Sequence, residues 1–221
     1  AIFVNASVRR EGSTKLGTEN QWGIFPAFGV GVDLNNYLDI AGVKLLKVRA
    51  GYGVTGALPG LNGLSQPIRS VVNGSDGSVS SELIRAANPD LKWEEKAELN
   101  LGVELTMDRF NATLDVYNRD VSDFILEVTV DPAIFGVDRR FENAGRLNTK
   151  GAELTLGYDV MRGEKENWTT GVVLSTYKTT LEEFVVSENV RANLGAPGQN
   201  GTNMIRVTEG GEIGQIWGPV F

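Results

Sequence analysis

The feature that most constrains this chain is a two-length rhythm. Segments in which apolar and polar residues alternate are joined by connections that are by turns long and short. The patterned segments run over residues 1–10, 22–34, 44–55, 92–107, 110–120, 150–160 and 168–178, and a further one opens near Met204. Connections 11–21, 56–91, 121–149 and 179–203 are long and rich in Gly, Asn and Ser, whereas 35–43, 108–109 and 161–167 are short. Period-two alternation predicts strands with one apolar and one polar face. Strict long/short alternation of connections predicts an antiparallel up-and-down meander with loops at one end and tight turns at the other.

The faces are sharply divided. Over 92–107, Ala97, Leu99, Leu101, Val103 and Leu105 share one side, and Lys96, Glu98, Asn100, Gly102 and Glu104 share the other. The split recurs as Ala112, Leu114 and Val116 against Asn111, Thr113, Asp115 and Arg119, as Ala152, Leu154, Leu156 and Tyr158 against Glu153, Thr155 and Asp159, and as Leu46, Val48, Ala50 and Tyr52 against Lys47, Arg49 and Gly51. A soluble sandwich turns its apolar face inward, and a membrane barrel turns it toward lipid. Alternation alone is symmetric between them. Length leans toward the membrane, because several segments reach the roughly 9–11 residues that a tilted strand needs to cross a bilayer, against about 5–6 in globular sheets. Trp22, Tyr52, Trp93, Phe110, Tyr158 and Trp168 lie near segment ends, where a barrel places its interfacial aromatics. Asp108 and Arg109, between two long alternating runs, leave room only for a tight reversal, and Leu38, Asp39 and Ile40 suit a single helical turn.

Composition then excludes chemistry. With no cysteine and no histidine in 221 residues, the chain has no disulfide, thiolate nucleophile, Ser–His–Asp triad or His- or Cys-based metal site. The net charge of −7 and the lack of a basic patch argue against nucleic acid as a partner. No apolar run approaches the 18 residues of a membrane helix. Ala1 already lies within an alternating run, Ile2, Val4, Ala6 and Val8 against Asn5, Ser7 and Arg9, so the chain is expected to be a piece of a larger protein.

Two motifs tempt a catalytic reading. Gly51, Gly53 and Gly56 match the G-x-G-x-x-G of dinucleotide-binding folds, but a Gly- and Pro-rich loop follows where a helix is required. Glu94, Glu95, Glu98, Glu104, Asp115 and Asp120 offer carboxylate pairs of the glycosidase kind. Pairing across the polar face, Glu98, Glu104 and Asp115 with neighbouring cations, accounts for them more simply. Asp76, in a Gly/Ser loop, matches no calcium-loop spacing. No catalytic residue, metal ligand or cofactor site is assigned.

Several stretches, in order, carry a resemblance. Val8 to Ser13 followed by Trp22 to Phe28, then Lys47 to Gly56, Asn88 to Glu94 ("NPxLKWE"), Leu114 to Arg119 ("DxYNR"), Asn143 to Leu154 ("NxGxxxNxGxEL") and Gly214 to Gly218 together resemble the C-terminal barrel region of SusC/RagA-type TonB-dependent outer-membrane transporters. The resemblance implies an all-β fold: a partial transmembrane antiparallel barrel, with seven or eight of about 22 strands. Residues 1–221 would then form part of one barrel domain, without the plug and the N-terminal half of the wall. It further implies uptake of an oligosaccharide or peptide across the bacterial outer membrane, with TonB acting through the absent N-terminal region and a SusD-like surface lipoprotein over the mouth. Outer-membrane lipid would surround the wall. On this reading Arg49, Glu98, Asn100, Glu104, Asp115 and Arg119 are lumen-lining or solute-contacting wall positions, and Trp93 lies nearer the mouth. The plainer alternative is a network that only braces the wall. A soluble or surface-attached β-sandwich that binds glycans is the second reading, and a hydrolase using paired carboxylates the third.

Overall fold

The computed structural model describes residues 1–184, 194–195, 203–205 and 208–215. Its elements are β1 (Ile2–Gly12), β2 (Trp22–Asp33), β3 (Val43–Ala57), β4 (Ile68–Asn73), β5 (Val79–Arg85), β6 (Glu94–Met107), β7 (Phe110–Ser122), β8 (Ile125–Thr129), the short helix α1 (Pro132–Phe135), β9 (Arg139–Asn143), β10 (Gly145–Arg162), β11 (Asn167–Phe184), β12 (Leu194–Gly195) and β13 (Asn203–Ile205). Seven of them form one antiparallel sheet in the order β1-β2-β3-β6-β7-β10-β11. This is the meander read from the rhythm of connections, and the GxGxxG glycines lie inside β3.

Register joins the faces into continuous surfaces. One row, Ile2, Val32, Val48, Val103, Leu114, Leu154 and Leu174, is apolar on all seven strands. No second sheet covers this side among the described residues, and Leu99, Leu101, Val103, Leu114 and Val116 remain 38–47% exposed. A sandwich would bury them. The buried apolar cluster lies elsewhere, in Leu16, Phe25, Leu64, Leu91 and Trp93, at the end of the long connections.

The structure corrects four expectations. First, the long connections are not plain loops: 58–93 carries the β4–β5 hairpin and 123–144 carries β8, α1 and β9. These strands are only 5–7 residues long, and their faces mix apolar with polar residues, so alternation does not mark them. Second, β10 begins at Gly145 and β11 ends at Phe184, well beyond the apolar alternation. The pattern marks only the apolar band, whereas backbone pairing continues past it through Asn148, Lys150, Lys178 and Thr180. Third, the helical turn after β2 lies at Leu34–Asn36, not 38–40, because the Asp33 carboxylate accepts the Asn35 amide at 3.1 Å and starts it there. Fourth, Trp93 is buried rather than interfacial. The strand expected near Met204 is the short β13, which pairs with β12, and Ile216 to Gly218 of the quoted motif lie outside the described residues.

At the short-turn end, charges stitch three reversals together. Lys44 Nζ lies 2.8 Å from Asp108 Oδ1, Arg162 bonds both the Asp108 carbonyl and the Asp159 carboxylate, and Thr169 Oγ1 donates to Asp159 Oδ1 at 2.8 Å. Asp108, outside the strands, has its carboxyl held below the ordinary range, first by the Lys44 hydrogen bond and then by the charges of Lys44 and Arg162. A depressed folded value means that the contribution is complete above the unfolded value, about 3.9, and is lost as pH falls through the folded one. The protection of the 108–109 turn, measured as hydrogen exchange relative to the intrinsic rate at each pH, is expected to fall below about pH 4, and Asp108→Asn to remove that acid dependence. Identical acid profiles for the two proteins would refute the assignment.

Candidate functional site

Two regions bring polar chemistry together: the polar face of the sheet and the folded long-connection end, which the resemblance expects to be the mouth. On the polar face, pairing places Lys47 opposite Glu104, Gly102 opposite both Arg49 and Asp115, and Glu98 opposite Arg119. Arg49 spans three strands. From β3 its Nη2 donates to both Asp115 oxygens on β7 at 2.7 Å, and its Nε stands 3.2 Å from Glu104 Oε1 on β6. Gly102 is what lets it cross: a Cβ there would lie 2.5 Å from Arg49 Nε and 2.7 Å from Asp115 Oδ1. One guanidinium thus neutralises two carboxylates, its Nη2 shared between both oxygens of Asp115 and its Nε in ion-pair contact with Glu104.

A second pair lies along β6 and β7. Arg119 Nε donates to Glu98 Oε2 at 2.6 Å, with the Arg119 guanidinium 5.4 Å from the centre of the Tyr117 ring. Tyr117 lies over Gly151, where a Cβ would come within 2.4 Å of the phenol. Asn100 is half-buried between Gly51 and Tyr117. Six of the expected wall positions, Arg49, Glu98, Asn100, Glu104, Asp115 and Arg119, therefore share one face, and five of them form ion pairs. Tyr117 and the exposed Glu153, opposite Asp115, belong to the same face. The β7 and β10 alternation marked Glu153, and Tyr117 was hidden because an aromatic on a polar face carries no signal.

Removing Arg49 strands two acids. The groups are 18–39% exposed, between the surface and buried limits, so Arg49→Met is expected to cost about 1–2 kcal/mol. Adding Asp115→Asn should return part of that loss. Urea denaturation in detergent, followed by tryptophan fluorescence, measures both, and equal midpoints for all three proteins would refute the coupling.

The mouth is organised by asparagine and tryptophan. Trp93 packs edge-on to Phe25 with ring centres 5.3 Å apart and donates from Nε1 to the Gln21 carbonyl at 3.2 Å, tying the entry of β6 to the β1–β2 connection. Asn143, closing β9, clamps Lys92 by accepting its amide and donating to its carbonyl, both at 3.0 Å, and donates to the Asp123 carbonyl at 2.8 Å. Lys92 Nζ meets the Asp123 carboxylate at 2.9 Å, where Asp123 holds a φ of 57°. Asn88, 4% exposed, donates to the Phe141 carbonyl at 2.7 Å and accepts from Arg140 at 2.9 Å. The two Asn-led motifs of the sequence are thus the two halves of one clamp. Trp93 is a buried member of the packed cluster at this end.

These faces can be set beside known proteins. The family model described as "TonB dependent receptor-like, beta-barrel" matches residues 2–208. The chain belongs to this family. TonB-dependent receptor P39 of Formosa agariphila is 28% identical over 226 residues, covering 98% of this chain and 20% of that protein. TonB-dependent receptor SusC of Bacteroides thetaiotaomicron is 26% identical over 162 residues, covering 68% of this chain and 16% of SusC. The structure titled as the RagAB peptide importer in the "open-open" state superimposes with a TM-score of 0.78 at 22% identity, over 97% of this chain and 23% of that one. The chain spans about a fifth of the length of the curated relatives it matches. In a transmembrane β-barrel an apolar strand face meets lipid and a polar one lines the lumen.

Proposed function

We propose that the whole protein carrying this chain is an outer-membrane importer of oligosaccharide or peptide, energised through TonB and working with a SusD-like surface lipoprotein. This chain supplies part of the wall and part of the extracellular mouth, and it performs no covalent chemistry. The observation that carries the reading is the division of one sheet into an uncovered apolar side and a charged side whose acids are bonded to arginines. Such a wall suits a barrel whose outside is lipid and whose inside is wet. Membership in the TonB-dependent receptor family supports the transport class, SusC among the relatives supports the lipoprotein partner, and the likeness to the RagAB peptide importer makes peptide one of the two solute classes to test. The mouth clamp supports the reading in another way, because it holds long connections in a defined shape where solute would enter.

The test begins with fractionation of the full-length protein and its gel mobility with and without boiling, followed by uptake of labelled peptides and oligosaccharides with and without an intact TonB system. Outer-membrane recovery, heat-modifiable migration and TonB-dependent uptake are expected. A soluble, heat-indifferent protein would sink the reading.

A further inference from the structure

The outward face changes character where it nears the mouth. Below, Leu101 and Val116 pair directly and continue to Ala152 and Thr176. One row above, Leu99 pairs with Asn118, Asn118 with Lys150, and Lys150 with Lys178. An open groove runs across both rows. Two lysines directly opposite one another on adjacent strands repel, an arrangement that destabilises a sheet unless an anion lies between them.

The acids of this corner reach only one lysine of the pair, Lys178. Glu212 stands 3.2 Å from Lys178. Asp120, one row higher, accepts from Asn148 at 2.9 Å, and Arg146 and Glu182 pair with each other at 2.6 Å. Among the described residues no carboxylate lies within ion-pairing distance of Lys150, which is exposed. A cation pair at the upper margin of an apolar band is placed for a ligand with an anionic head and apolar tails.

We propose that Lys150 and Lys178 hold the phosphate of a phosphorylated glycolipid of the outer leaflet, with Asn118 beside the headgroup and Leu101, Val116 and Ala152 under its acyl chains. This rests on the outer-membrane reading above. The phosphate bridges the two ammonium groups and relieves their repulsion, and the apolar row below keeps the acyl chains on the barrel. Arg10, stacked 4.3 Å over the exposed Trp22 on the same face, marks the same margin on β1 and β2.

The test uses the full-length protein in nanodiscs, with bound lipid counted by native mass spectrometry while a phosphorylated glycolipid competes with its dephosphorylated form. The wild-type protein is expected to retain the phosphorylated form at least tenfold more. Lys150→Gln with Lys178→Gln should abolish that preference, and Lys150→Arg with Lys178→Arg should keep it, heat-modifiable migration reporting that each variant is folded. Equal retention of the two lipids by the wild-type protein overturns the proposal, whatever the variants do, as does an unchanged preference in the folded Gln variant. Failure to recover the protein from the outer membrane is a separate result, which refutes the transporter reading itself.

Discussion

Val103→Arg in the full-length protein is expected to abolish, or reduce severalfold, the heat-modifiable species recovered from the outer membrane. Val103 sits in the row that is apolar on all seven strands, directly opposite Val48 and Leu114. On the lipid side an arginine costs about 2–4 kcal/mol near the bilayer midplane, a large share of the roughly 5–15 kcal/mol that holds an ordinary domain folded. Thr113→Arg is the matched control: one residue from Leu114 but on the polar face, opposite Glu104 and Thr155, it should leave recovery nearly unchanged. Equal recovery of both variants would mean that the apolar face does not meet lipid.

Gly17→Ala is expected to open the mouth while leaving the wall in place. Gly17 donates its amide to the Leu91 carbonyl at 2.8 Å, and a Cβ on it would stand 1.7 Å from the Pro89 carbonyl oxygen. That neighbour is backbone and cannot rotate away. The 86–92 segment must therefore move, exposing Leu16 and Leu91, which are 2% and 0% accessible. Overpacking of this kind costs about 1–3 kcal/mol, and the strained hydrogen bond adds to it. Limited proteolysis should show faster cleavage near residues 13–20 and 86–92, with outer-membrane recovery and heat-modifiable migration retained. Wild-type cleavage rates in the variant would show that the contact does not hold the mouth.

The two substitutions probe different levels of the same design. The wall is a repetitive surface whose strength comes from the match of an apolar band to its solvent and from backbone pairing between neighbouring strands. The mouth is a small packed core stapled by side chains to backbone, and single contacts matter more there. Arg49, joining β3, β6 and β7 across the polar face, stands between these cases.

Much of the wall was legible in the residues themselves. A side-chain period of two assigns Leu99, Leu101 and Val103 to one face and Glu98, Asn100 and Glu104 to the other without any knowledge of partners. The order of long and short connections then leaves the meander as the simplest topology, and the ordered motifs point to the family. The chain could not say by itself where pairing ends, because alternation stops at the margin of the apolar band while β10 and β11 run on past it. The hairpins inside the long connections were equally hidden.

What only the tertiary structure decided is which residues meet. That Arg49 binds Asp115, 66 positions away, depends on the registers of β3, β6 and β7 together and on the gap at Gly102. That Trp93 belongs to a buried cluster depends on Leu16, Phe25, Leu64 and Leu91 arriving from other connections. Local periodicity reports which way a side chain turns relative to its own strand. Long-range register and the folding of the mouth set its partners, and they arise from strand pairing and packing between segments far apart in the chain.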